Sequence, residues 1–391
     1  MISVNDALAR LFALVSPVET ETVALADAAA RVLAEDAVTD RTQPPFAASA
    51  MDGYAVRASE AGAGQTLEVV GESAAGHGWH NQLPEGAAIR VFTGAPVPEG
   101  ADSILIQENA TRDGDHVTVT EAPRHGEYVR PAGGDFSRGE TLASPRRLSS
   151  RDIALLASMN IAKVTVRRRP VIALIPTGDE LVLPGEVPGP DQIVSSNNFG
   201  LAAMLAAAGA EPRLCPIARD NRESLVAALD SARDADVIVT LGGASVGDHD
   251  LVAEVFGNEG LTLDFYKIAM RPGKPLMAGR IGDAVMIGLP GNPVSAMVCG
   301  EVFVRPALDV MLGFAGTPRA TTPGTLAHPV GANGPREHYT RAHVTEDGRC
   351  HVFERQDSSL VRVLSDANAL VVREPHAPEA PEGSIVRYIP L

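Results

Sequence analysis

The stretch Asp234–Asp250, "DADVIVTLGGASVGDHD", decides how this chain is read. Val237–Thr240 is an apolar, β-branched run with acids before it and glycines after it, the pattern of a short strand buried on both faces. The run empties into Gly242, Gly243 and Gly247, with Ser245 between them, and then into Asp248, His249 and Asp250. Backbone stripped of side chains suits the close approach of a bulky anion such as a phosphate. Carboxylates repel anions, so the two features fit together when a divalent cation bridges them.

The same grammar repeats on either side. "VIALIP" (171–176) runs into Thr177, Gly178, Asp179 and Glu180, and "EPRLCPIA" (211–218) runs into Arg219 and Asp220. "AVMIGL" (284–289) runs into Pro290, Gly291, Asn292 and Pro293. Between these strands lie helical stretches such as "NNFGLAAMLAAAGA" and "NRESLVAALDSARD". A long helix follows, with Asn292 as N-cap and Pro293 in its first turn. Strand–helix alternation predicts a doubly wound α/β domain that binds ligands at the carboxyl ends of its strands. "YKIAMRPGKP" adds Lys267, Arg271 and Lys274. Glycine backbone, cations and carboxylates in one crevice suit a phosphorylated ligand with Mg²⁺. Each feature has a plainer reading: Gly-Gly as a turn, "TGDEL" and Asp220 as helix caps, the basic cluster as a solvated edge. Those readings weaken together because the features gather at one end of one sheet.

The remainder predicts a multidomain protein. Residues 3–15 read as an amphipathic helix capped by Ser3, residues 24–36 as an Ala-rich helix, and 149–159 as a helix capped by Ser149 or Ser150. Short alternating runs from 55 to 136 predict an antiparallel β domain. Residues 320–391 lose the helical period and predict a small β-barrel or sandwich. The expected division is a discontinuous helical and linker domain (1–44 and 137–168), an inserted β domain (45–136), the α/β domain (169–318) and a C-terminal barrel (319–391). With 45% hydrophobic residues, 391 residues can build several cores, and a net charge of −16 argues against a general nucleic-acid or anionic-membrane surface. Three widely spaced cysteines argue against a disulfide framework, no secretory signal is legible at the start, and the natural reading is a cytoplasmic protein.

Six segments in this order resemble one family: "SAMDGYA" (49–55), "TGAPVPEGAD" (93–102), "PTGDEL" (176–181), "GGASVGDHD" (242–250), "RPGKP" (271–275) and "LPGNPVSA" (289–296). The chain resembles the molybdopterin molybdenumtransferases, MoeA-like proteins related to the E domain of gephyrin, along its whole length. The resemblance implies an enzyme that takes adenylated molybdopterin and molybdate, cleaves the adenylate with Mg²⁺ and releases AMP. It implies that Asp220 and Asp250 hold the cation, that Glu180 is an acid of the crevice, and that Lys267, Arg271 and Lys274 face anionic substrate. It assigns Thr177, Gly178, Gly242, Gly243, Ser245, Gly247 and the loop Pro290, Gly291, Asn292, Pro293 to substrate binding. Asp52, Thr93 and Asp135 would enter the crevice of a partner subunit, so a homodimer with shared sites is implied. A molybdopterin adenylyltransferase upstream, and molybdoenzymes or carriers downstream, are the implied partners. Arg271 stands where some members carry Lys, and "GDHD" where others read "GEAD". Two alternatives share the α/β domain: an enzyme acting on another nucleotide, such as an adenylyltransferase or a CinA-like amidase, and a gephyrin-type scaffold. "SAMDGYA" and the inserted β domain favour the transferase over the first, and retention of Asp52, Asp220 and Asp250 favours it over the second.

Overall fold

The computed structural model describes residues 1–243 and 251–391. Ser245, Gly247, Asp248, His249 and Asp250 therefore lie outside the described residues. The chain divides into two compact units, one of residues 1–21, 30–34 and 166–391, the other of residues 22–29 and 35–165.

The larger unit is built on a six-stranded sheet in the order Glu211–Leu214, Val171–Pro176, Val237–Leu241, Ala284–Leu289, Met277–Ile281, Thr262–Tyr266. The first four strands are mutually parallel, Met277–Ile281 runs against them, and Thr262–Tyr266 pairs antiparallel with Met277–Ile281. Successive side chains of a strand point to opposite faces. Ile172 and Leu174 accordingly enter one core with Leu201, Leu205 and Val294, while Ala173 and Ile175 enter another with Leu225, Leu229, Val252 and Phe256. Helices Asn197–Ala207 and Pro293–Cys299 cover the first face, Arg222–Asp230 and Leu251–Asn258 the second. The doubly wound α/β domain is thus present, with an antiparallel edge. Helix Val4–Leu14 packs Leu8 and Leu11 into the first core and is capped by Ser3, whose Oγ accepts the Asp6 amide at 3.0 Å. The C-terminal part closes as a five-stranded barrel: Glu337–Val344, Arg349–Val352, Thr322–Leu326, Ile385–Pro390 and Ala369–Arg373, the last pairing back onto the first. Closure removes the open edges that a free sheet would present.

The smaller unit carries a six-stranded sheet in the order Ser103–Ile106, Gly53–Val56, Ala87–Val91, Thr66–Ser73, His116–Val119, Ala110–Asp113. It is not wholly antiparallel, because Thr66–Ser73 and Ala87–Val91 run parallel and are joined by the long connection 74–86. Helix Ser150–Ser158 opens with a capping box between Ser149 and Asp152. Burial raises the Asp152 carboxyl, but Arg146 at 2.7 Å and the Ser149 hydroxyl and amide outweigh it and bring it down to about 2. The expectation of a helix over 24–36 is overturned. Only the 3₁₀ turn Leu25–Asp27 and the strand Val32–Leu33 form there, and Ala30 adopts φ +63°, which no α-helix accommodates. No helix among the described residues is long and apolar enough to cross a membrane. Cys215, Cys299 and Cys350 are buried free thiols.

Candidate functional site

From Val171–Pro176 the chain moves to Glu211–Leu214 on one side and then to Val237–Leu241 on the other. A reversal of this kind opens a crevice at the carboxyl ends of the strands. The strand ends are tied to one another there: the Thr177 amide donates to Leu241 O (3.0 Å), the Gly178 amide to Ala218 O (3.0 Å) and the Gly242 amide to Leu289 O (3.1 Å). Gly178, Gly242 and Gly243 have φ of +146°, +108° and +65°, a region that favours glycine. At Gly242 a methyl group would also come within 2.7 Å of the carbonyl and hydroxyl oxygens of Thr177, and at Gly243 it would strike Val252. The glycine pair therefore does more than turn the chain. Gly242→Ala is expected to cost about 2 kcal/mol through strain and close contact, read as a lowered thermal midpoint. An unchanged midpoint would show that the Thr177 loop gives way freely.

The crevice is a cavity of about 940 Å³. Thr177, Gly178, Glu180, Asp220, Gly242, Gly243, Pro290, Gly291, Asn292 and Pro293 all line it, so ten positions singled out from sequence converge. Two of the plainer readings fall. "TGDEL" opens no helix but leads into the short strand Leu181–Val182, paired with Ile193–Val194. Asp220 caps nothing, because Asn221 caps helix Arg222–Asp230 by accepting the Ser224 amide at 2.9 Å. The carboxylates of Glu180, Asp220 and Glu254 line the cavity without a hydrogen-bond or ion-pair partner among the described residues. Free, hard oxygen donors of this kind fit Mg²⁺. No group of three or more metal-binding side chains is gathered among the described residues.

Sequence reasoning passed over several lining residues. Ser195, Ser196 and Asn197 come from the start of helix Asn197–Ala207, and Asn197 Nδ2 donates to Gly291 O at 2.7 Å. Ser359 comes from the barrel. Its loop docks on the "PGNP" segment: Asn292 Nδ2 donates to Ser358 Oγ (3.1 Å) and the Val294 amide to Ser358 O (3.0 Å). Arg341, only 2% exposed, holds that loop from inside, with its amide and Nε donating to Gln356 Oε1 at 3.0 and 3.2 Å.

The basic candidates sit differently. Lys267, Arg271 and Lys274 are not among the described residues lining this cavity, although Pro275 is. Lys267 places its ammonium 4.8 Å from the centre of the Tyr266 ring. Arg271 belongs to a short strand paired in parallel with Glu337–His338. His338, pressed down by burial and by Arg271, Arg336, Arg341 and Arg373, falls to about 4 and is neutral near pH 7. In the smaller unit Asp52 and Thr93 do meet. Asp52 Oδ1 accepts the Thr93 amide at 2.7 Å and its hydroxyl at 2.8 Å, and these bonds, aided by Arg90, hold the Asp52 carboxyl below the usual range. Asp135 is exposed, and its amide donates to Gln43 O at 3.0 Å.

The sequence matches three family profiles end to end: "MoeA N-terminal region (domain I and II)" over residues 2–160, "Probable molybdopterin binding domain" over 173–310, and "MoeA C-terminal region (domain IV)" over 323–391. A curated molybdopterin molybdenumtransferase of Bacillus subtilis is 32% identical over 386 residues, covering 95% of this chain and 90% of the relative. The chain belongs to the molybdopterin molybdenumtransferase family. The Haemophilus influenzae member is 37% identical over 300 residues, covering 76% of this chain and 74% of its own. A solved molybdopterin biosynthesis MoeA protein from Pyrococcus horikoshii superposes with a TM-score of 0.87 at 26% identity, with both chains fully covered. The protein is accordingly a transferase of molybdenum cofactor biosynthesis.

Proposed function

We propose that the chain transfers molybdate onto adenylated molybdopterin, opening the phosphoanhydride and releasing AMP, in a homodimer whose sites are shared between subunits. The observation that carries this reading is the convergence of Gly178, Gly242 and Gly243 in one cavity with the carboxylates of Glu180 and Asp220, which have no partner among the described residues. The glycine backbone leaves room for a pyrophosphate, and Asp220, with Asp250 by resemblance, would hold Mg²⁺. That ion supplies neutralisation of the charge that builds on the phosphates as their bond opens. Exposed apolar surface at Ile193 and Val194, on the same wall, suits the flat pterin ring. Ser196, exposed at the same helix start, offers its hydroxyl to the ring's edge. Lys267, Arg271 and Lys274 are assigned by resemblance to the anionic groups, and Asp52, Thr93 and Asp135 to the partner's crevice.

The test is AMP release from adenylated molybdopterin with Mg²⁺, with and without molybdate. Release that depends on molybdate and yields active cofactor is the expected result. Tight binding of the substrate without AMP release would replace this reading with that of a carrier or scaffold.

A further inference from the structure

We propose that Arg219 and Asp179 form a lock between two strand ends that positions the carboxylates of Asp220 and Glu180 for the divalent cation. The inference rests on the cation assignment above. Arg219 Nη1 reaches the carbonyls of Gly178, Asp179 and Leu181 at 3.2, 3.0 and 3.0 Å, which bracket Glu180 on both sides. The return contact runs the other way: the Asp220 amide donates to Asp179 Oδ1 at 3.1 Å. The backbone around each cavity carboxylate is thus held by the residue preceding the other one. Arg219 is itself anchored, since its amide donates to Ser224 Oγ at 2.9 Å in the first turn of helix Arg222–Asp230.

Among the described residues, the three side-chain bonds of Arg219 all go to carbonyls and none to a carboxylate. That choice separates geometry from charge. A positive charge beside a cation site opposes the cation, so removing it would tighten binding if charge were its main effect. If position is its main effect, removing it weakens binding. Lys at 219 would keep the charge, but its stem is one atom shorter and would not carry its nitrogen to the point where Nη1 meets the three carbonyls. Arg219 and Asp179 are therefore positioning residues, and the charge-retaining variant discriminates between the two effects.

The experiment is Mn²⁺ titration of the full chain followed by electron paramagnetic resonance, with wild type, Asp220→Asn, Arg219→Gln, Arg219→Lys and Asp179→Ala. Asp220→Asn is expected to abolish binding. Both Arg219 variants and Asp179→Ala are expected to weaken it by roughly tenfold, the scale of losing a residue that orients a metal ligand. Wild-type affinity, or tighter, in Arg219→Gln and Asp179→Ala with binding lost in Asp220→Asn overturns the lock alone. Equal binding by wild type and Asp220→Asn, or none by wild type, overturns the cation assignment on which it rests. Should Arg219→Gln fail to fold, Asp179→Ala decides, because it leaves the Arg219 contacts to the loop carbonyls in place.

Discussion

Asp220→Ala is expected to slow molybdate-dependent AMP release by at least about 100-fold, more than loss of an orienting neighbour costs a metal site. Stability should hardly move. The Asp220 side chain is exposed and makes no hydrogen bond or ion pair among the described residues, and the helix cap belongs to Asn221. Its one contact to the neighbouring loop runs through the backbone amide, which alanine retains. Changes at exposed sites free of caps, cavities and ion pairs stay within about 0.5 kcal/mol. A variant with unchanged melting and near-normal turnover would remove Asp220 from the cation site. A variant that melts early would instead restore a structural role. Excess Mg²⁺ separates weakened binding from lost chemistry: recovery at high Mg²⁺ locates the defect in cation affinity, and a plateau that stays low locates it in the reaction step.

How much of this was legible in sequence varied with the range of the interaction. The strands Val171–Pro176, Val237–Leu241 and Ala284–Leu289 announced themselves as apolar runs because both of their faces are buried, and the punctuation after them named the crevice. Gly242 was marked as glycine by its sequence context, but the reason, a Thr177 carbonyl 2.7 Å from where a side chain would begin, is a contact across 65 residues that no local pattern encodes. Residues 24–36 misled because alanine favours helix only when nothing else decides, and here the left-handed turn at Ala30 does. The parallel pairing of Thr66–Ser73 with Ala87–Val91 and the closure of the barrel are likewise long-range choices of partner. Ser195, Ser196 and Asn197 could have been found, since "SSNN" ahead of an apolar helical run is a helix start and helix starts face this crevice. Arg219 could not, because an arginine that serves three carbonyls looks in sequence like any solvated arginine.

Mixing Asp52→Ala with Asp220→Ala chains is expected to restore activity that neither variant has alone. A two-fold dimer that takes Asp52 from one subunit and Asp220 from the other has two equivalent sites. In a mixed dimer one of these carries both lesions and the other carries none. Random reassociation of equal amounts makes half of the dimers mixed, so activity should return to about a quarter of wild type. If both residues served one site within a single chain, every site would carry a lesion and activity would remain at the floor of the separate variants. The design depends on Asp52→Ala folding. The substitution removes the acceptor for the Thr93 amide and hydroxyl, but it does so at an exposed site where water replaces it. Asp52→Asn provides the closer match, keeping an acceptor for Thr93 while removing the charge that those bonds and Arg90 sustain. Recovery with Asp52→Asn as well as with Asp52→Ala would show that the shared site requires the Asp52 carboxylate itself, and not only the turn that it holds.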